Sequence, residues 1–256
     1  MCLVVLAFRA HADVPLVVAA NRDEFHARPT SAAAWWPDAP DILAGRDLQA
    51  GGTWLGVHRN GRFATVTNYR DADLPSASYE SRGHLVASFL QGDQQPLEFL
   101  RSVDADAYAG FNLLLSDGES LAYLSNRGAS LKELPPGIYG LSNATLDTPW
   151  EKVARSKQQL TELVKKNQLD ETTLMRLLAD RQKGPVSEVQ GDRLPFETAH
   201  SITAPFIVMP DYGTRCSTIV RHDRTGGWHF LERRFDAEGQ TTGDTRVSFG
   251  GSENPE

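Results

Sequence analysis

Cysteine is scarce, with Cys2 and Cys216 the two in the chain. A disulfide-stapled fold is excluded, and so sparing a use of thiols fits a reducing, intracellular compartment. No stretch approaches the roughly 20 consecutive apolar residues of a membrane helix. The apolar run Leu3 to Phe8 is interrupted by Arg9, His11 and Asp13 and no basic segment precedes it, so it does not read as a signal peptide. Positive charge is also short, with 26 Lys+Arg against 33 Asp+Glu and a net charge of -7, which gives no pull toward nucleic acid or anionic lipid. The expectation is a cytoplasmic protein with no membrane span and no nucleic-acid partner. What is present, 40% hydrophobic and 23% charged residues over 256 positions, suffices for a substantial core in one large domain or two small ones.

Several cofactor motifs are missing as well. The sequence has no P-loop, no dinucleotide fingerprint, no Cys-x-x-Cys and no His-Glu-x-x-His. Its seven histidines are scattered without metal-ligand spacing, so no metal site is expected. Gly140-Leu141-Ser142-Asn143-Ala144 approaches a nucleophile elbow but ends on the wrong residue and lacks a parallel-sheet context.

Hairpins organise the first half. Cys2 to Phe8 and Pro15 to Ala20 are apolar strand patterns joined by a short polar turn, Asn60-Gly61 separates Trp54–Arg59 from Arg62–Asn68, and Asp117-Gly118 separates Phe111–Ser116 from Leu121–Ser125. Helical patterns cover Gly83 to Leu90 and Leu97 to Val103, with Ser81 as a candidate N-cap of the first. Trp150, Val153, Ala154, Leu160, Leu163 and Val164 form an amphipathic stripe with Glu151, Lys152, Arg155, Lys165 and Lys166 among its polar positions, and Asp170 reads as the N-cap of a further helix. Gly184 to His200 reads as a loop, and strands are expected again at Ile202–Met209, Thr214–His222 and Trp228–Phe235. The pattern favours a single α+β domain with antiparallel sheet over residues 1–249, followed by a mobile tail at 250–256.

The chemistry concentrates at the amino terminus. Initiator methionine is commonly removed before a small residue, which would leave Cys2 carrying both a thiol and a free α-amine. Their ordinary pKa values, about 8.5 and about 8, let each exchange a proton near neutral pH, so nucleophile and base can share one residue. With the first turn centred near Ala12, strand partners have numbers adding to roughly 24, which sets Cys2 across from Asn21, Arg22 and Asp23. A cation there favours the thiolate, and Asp23 can orient the amine. The alternative is a small apolar edge residue facing a polar turn at Asn21–Glu24.

Asn21-Arg22-Asp23-Glu24-Phe25, continuing to Arg28-Pro29, resembles the signature of the NRDE family, which includes the transport and Golgi organisation protein 2 group. Gly51-Gly52-Thr53-Trp54-Leu55-Gly56, Thr67-Asn68, Ser81-Arg82-Gly83, Tyr139-Gly140-Leu141-Ser142-Asn143, Thr148-Pro149-Trp150 and Tyr212-Gly213-Thr214-Arg215 stand in the same order. The family is in turn similar to N-terminal nucleophile (Ntn) cysteine hydrolases of the penicillin V acylase and bile-salt hydrolase type. That resemblance implies a four-layer αββα sandwich of two antiparallel sheets between helices. It also implies Cys2 as nucleophile, Asp23 as holder of its amine, Asn68 in an oxyanion hole and Asn143 holding amine and substrate, in an enzyme that cleaves small-molecule amides with no cofactor. Arg22, Arg28 and Arg215 are the substrate-binding candidates. In bile-salt hydrolases the arginine precedes the aspartate by three residues, where this chain has Ala20, so Arg22 must serve from the adjacent position or the site has degraded.

The family resemblance also implies an alternative of another class, noncovalent haem binding and trafficking, or binding of an acyl-CoA or other acyl lipid. Haem ligation would fall to Cys2, His26, His58, His84 or Tyr69, and the spacing does not choose among them. Cys216, within a strand pattern, reads as a buried inert thiol. Arg28 before Pro29 is either a carboxylate clamp or a loop anchor, and Gly51-Gly52 is either a turn or a close backbone approach to a ligand.

Overall fold

A computed structural model describes residues 2–70, 79–128, 130–189 and 194–251. Six strands come first: β1 (Leu3–Phe8), β2 (Leu16–Phe25), β3 (Thr30–Trp36), β4 (Ala39–Asp47), β5 (Leu55–His58) and β6 (Phe63–Asn68). Helices α1 (Gly83–Gln91) and α2 (Pro96–Ser102) precede β7 (Phe111–Ser116), β8 (Leu121–Ser125), β9 (Ser130–Glu133) and β10 (Gly137–Leu141). Then come α3 (Glu151–Lys165), α4 (Glu171–Leu178), α5 (Phe196–Ser201), β11 (Tyr212–His222), β12 (Gly227–Phe235) and β13 (Thr241–Gly250). The α+β class with two antiparallel sheets is as the sequence suggests.

The elements form two compact units. The first takes its described residues from 1–27, 136–141 and 146–256, and holds a sheet of order β10-β1-β2-β11-β12-β13. Helices α3 and α4 cover one face of it. Leu3, Val5 and Ala7 of β1, Val17 and Ala19 of β2, and Ile219 and Leu231 pack there against Val153, Leu160, Leu174, Leu177 and Leu178. Val4, Leu6, Val18 and Val220, on the opposite face, are equally buried. Burial on both faces is why these strands read as continuous apolar runs rather than alternating ones.

The second unit takes its described residues from 28–135 and 142–145, with strands in the order β3-β4-β5-β6-β7-β8-β9. Leu85, Val86, Phe89 and Leu90 of α1 and Leu100 of α2 pack on Ile42, Ala64, Leu113, Leu115 and Ala122. Arg62 ties α1 to the sheet by donating Nε to the Phe89 carbonyl at 3.0 Å and Nη2 to the Gln94 carbonyl at 2.7 Å.

Several local expectations change. Asn21–Glu24 is strand, not turn, because β2 runs on to Phe25. Ile202–Met209 is not a strand but a strap, since its backbone groups bond to Asp180, Thr214 and the side chains of Asn21 and Lys152 instead of a ladder. The Gly184–His200 loop contains the start of α5, and its residues 190–193 lie outside the described ones. Ser81 is not the cap of α1: the cap position is Arg82 and no side chain caps it. Asp170 does cap α4, accepting from the Thr173 amide at 3.0 Å. Of the tail at 250–256, Gly250 ends β13 and 252–256 lie outside the described residues.

Candidate active site

The opening ribbon sets the register. Leu3 faces Asn21, Val4 faces Ala20 and Phe8 faces Leu16, the pairing the turn position implies. One residue further back, Cys2 arrives level with Arg22 and Asp23, and the Asp23 backbone amide hydrogen-bonds its sulfur. Asn21 is fixed from three sides. Its Nδ2 donates to the carbonyls of Leu178 and Pro205, both at 2.9 Å, and its Oδ1 accepts from Ser217 at 2.6 Å.

On the other edge of β2, two motifs pair residue by residue. Tyr212 lies opposite Phe25, Gly213 opposite Glu24, Thr214 opposite Asp23 and, after a bulge at Arg215, Cys216 opposite Arg22. Thr214 Oγ1 donates to Asp23 Oδ1 at 2.7 Å, Tyr212 donates to the Asp23 carbonyl at 3.1 Å, and Arg215 Nη1 donates to the Phe25 carbonyl at 2.9 Å. Gly213 is required by a close approach: a Cβ there would lie 2.7 Å from the Ile207 carbonyl oxygen. The Asn-Arg-Asp-Glu-Phe and Tyr-Gly-Thr-Arg motifs are thus the two sides of one ladder.

Among the described residues of this unit four charged side chains are buried, Arg22, Asp23, Lys152 and Glu232, two of each sign. Burial pushes the Asp23 carboxyl up to about 6 from an ordinary 3.8, against the opposing pull of the amino-terminal charge, Lys152, the Thr214 hydrogen bond and Arg22. Burial likewise raises the Cys2 thiol. The Asp23 carboxylate adds to that rise, while the hydrogen bond from its amide and the charge of Arg22 oppose it. Cys216 is raised well above the ordinary thiol value by burial and by Glu232, consistent with the inert thiol expected from its strand pattern. Arg22 lies 3.9 Å from Glu24, and Arg215, beside it, is lowered by burial and by Arg22 itself. The first unit therefore gathers Cys2, Arg22, Asp23 and Arg215.

The remaining candidates belong to the second unit. Asn68 is exposed at the end of β6, and Asn143, 2% exposed, donates Nδ2 to the Asn68 carbonyl at 2.7 Å. Behind them runs a buried polar chain. Tyr123 donates to Asn112 Oδ1 at 2.7 Å, Asn112 Nδ2 donates to Thr67 Oγ1 at 3.2 Å and to the Ala144 carbonyl at 3.0 Å, and Thr67 donates to the Ser142 carbonyl at 2.7 Å. Two of these links, to the Ser142 and Ala144 carbonyls, hold the 142–144 segment on which Asn143 sits. Arg28 is bound to Asp47, with Nε and Nη2 at 2.8 and 2.7 Å from Oδ2, which is the loop-anchor geometry.

The histidines considered as haem ligands have local partners. His26 Nε2 contacts the Met209 carbonyl, His84 Nε2 the Ala50 carbonyl, and His58 Nδ1 accepts from the Asn60 amide. Among the described residues no three His, Cys, Asp or Glu side chains are grouped as metal ligands, and no helix is long and apolar enough to cross a membrane. Sequence reasoning singled out neither Lys152 nor Thr214. Lys152 signals itself only by spacing, four residues before the buried Ser156 and eight before Leu160.

Residues 1–237 match the family described as Transport and Golgi organisation 2. The chain belongs to this family. Curated relatives include the Bos taurus Transport and Golgi organization protein 2 homolog, 39% identical over 237 residues, and the Homo sapiens homolog, 38% identical over 237, each alignment covering 85% of this chain and 86% of the relative. The fold is similar to that of the C2A mutant of a conjugated bile acid hydrolase from Clostridium perfringens, with a TM-score of 0.54 at 7% identity over 96% of this chain and 92% of the other. That likeness shows an Ntn-hydrolase-like fold and is silent on activity.

Proposed function

We propose that this family member acts as, or descends from, an N-terminal cysteine hydrolase that cleaves a carbon–nitrogen bond in a small-molecule amide. The observation that carries the reading is the juxtaposition of Cys2 with Asp23, in which the Asp23 amide bonds the sulfur and its carboxylate is held by Thr214. With Met1 removed, the α-amine of Cys2 takes the thiol proton as sulfur attacks the acyl carbonyl. Asn68 and Asn143 take the oxyanion-stabilising and amine-holding roles that the family resemblance implies. A side-chain N–H aimed at the developing oxyanion lowers the barrier by roughly 3 kcal/mol. The ammonium then returns the proton to the leaving nitrogen, the carbon–nitrogen bond breaks, and a Cys2 thioester remains. Water attacks that thioester, its proton passing to the amine; the carbon–sulfur bond breaks, the ammonium returns the proton to the Cys2 sulfur, and the free acid departs. Arg22 supplies positive charge beside Cys2, with Arg215 next to it, for an anionic group on the substrate.

The test is mass spectrometry of the native protein during turnover of a panel of small N-acyl amides. An acyl adduct on the Cys2 peptide, together with loss of hydrolysis in Cys2→Ala, is the expected result. Full turnover by Cys2→Ala sinks the mechanism.

A further inference from the structure

Lys152 is the least expected charge in the first unit. It is the second residue of α3, 1% exposed, with Nζ donating to the Ile202 carbonyl at 3.1 Å. Two general costs oppose that placement. An ammonium taken out of water needs a counter-charge and acceptors, and the first turn of a helix carries partial positive charge that repels cations. A solvent-facing lysine would escape the first cost and have the second screened by water, so for Lys152 something inside must offset both.

Two buried carboxylates lie among the described residues of this unit, Asp23 and Glu232; the strap that accepts from Lys152 also holds Asp23 through Thr214, whereas Glu232 lies 3.6 Å from Arg234. Lys152 favours the ionised form of Asp23, behind the amino-terminal charge and ahead of Thr214 and Arg22. The same strap ties both ends of the arrangement. Ile202 accepts from Lys152, Pro205 accepts from Asn21, and the Ile207 amide donates at 2.9 Å to the Thr214 hydroxyl that in turn holds Asp23. The groups that act on Asp23 are thus Cys2 ahead of β1, Arg22 of β2, Thr214 of β11, Lys152 of α3 and the amino-terminal charge.

We propose that Lys152 is a positioning residue, the built-in counter-ion that, moored on the 202–207 strap, keeps the Asp23 carboxylate ionised and in place beside Cys2. The inference deepens the reading of Cys2 and Asp23 as a working pair. It assigns a task to a helix residue that lies outside the Asn-Arg-Asp-Glu-Phe signature.

The experiment uses the full chain and needs no substrate. Titration of the Asp23 carboxyl is followed by carbon-13 NMR in wild type, Lys152→Met and Lys152→Arg, with Asp23→Asn identifying the signal. The expected result is a midpoint raised by about one pH unit or more in Lys152→Met, a tenfold change in proton affinity, and restored in Lys152→Arg. An unmoved midpoint in folded Lys152→Met overturns the proposal. Should Lys152→Met fail to fold, the double variant with Asp23→Asn is expected to fold, because both buried charges leave together. A double variant as unfolded as the single one overturns the proposal too. An upward shift in a protein that hydrolyses no amide upholds the pairing and counts against the hydrolase reading alone.

Discussion

Thr214 gives its hydroxyl proton to Asp23 and, on the same oxygen, accepts the Ile207 amide hydrogen. One side chain therefore orients the carboxylate and fastens the strap beneath it. Removing the donor in Thr214→Val raises the Asp23 titration further above about 6, whereas Thr214→Ser preserves it. Carboxyl NMR of the two variants separates these outcomes.

Asp23 also makes stability fall with pH. In the folded chain it takes up its proton near 6, against an ordinary 3.8 when unfolded, so between those values the native state binds more protons. Its contribution is complete below about pH 4 and is lost as pH rises through 6, amounting at most to about 3 kcal/mol. Urea unfolding of wild type and Asp23→Asn across this window should show the variant gaining relative to wild type. A difference that stays constant with pH contradicts the linkage.

The same carboxylate restrains the thiol. Because its charge raises Cys2, Asp23→Asn lowers the thiol pKa and speeds alkylation of Cys2 by iodoacetamide several-fold at pH 7, even as it abolishes any hydrolysis. Peptide mapping against the buried Cys216 gives the rate at the right sulfur. Slower alkylation would mean that Asp23 activates the thiol directly.

Gly52 and Gly83 meet backbone to backbone. A Cβ on Gly52 would lie 2.4 Å from the Gly83 carbonyl carbon, and Thr53 donates its amide to the Gly83 carbonyl at 3.2 Å. The close approach serves the start of α1. Gly52→Ala should cost about 1–3 kcal/mol through backbone displacement, read as a lowered urea midpoint with unchanged slope.

In the second unit Asn112 is the branch point of the buried polar chain. Asn112→Leu strands the Tyr123 hydroxyl, Thr67 and the Ala144 carbonyl, and is expected to cost about 2–4 kcal/mol. Tyr123→Phe removes one link and costs about 1 kcal/mol. A double-mutant cycle should show the two effects to be strongly non-additive.

Much of this was legible in the chain where local rules act alone. The β1–β2 register follows from a short turn and strand parity, so the placing of Cys2 against Arg22 and Asp23 could be read before any coordinates. Asp170 as a cap and the Asn60-Gly61 hairpin followed for the same reason. Strands β3, β4 and β13 were not read, since they alternate weakly and two of them form sheet edges. The strap was mistaken for a strand because its residues are as apolar as a strand's. What distinguishes it is the set of partners, Lys152, Asn21 and Thr214, that lie far off in sequence. Lys152 itself was hidden by charge: residue type argued for solvent, and only tertiary packing could overrule it.

The bulge at Arg215 has a consequence for parity. In an unbroken strand Thr214 and Cys216, two residues apart, would project from the same face of β11, and either the Asp23 carboxylate or the Arg22 guanidinium would lose its neighbour. The additional backbone step sends the hydroxyl to one side of the sheet and the thiol to the other. At this point of the chain the irregularity is therefore as strictly fixed as residue type: drawing Arg215 into the ladder would invert the strand downstream, turning Ile219 outward from the core it now shares with Leu231.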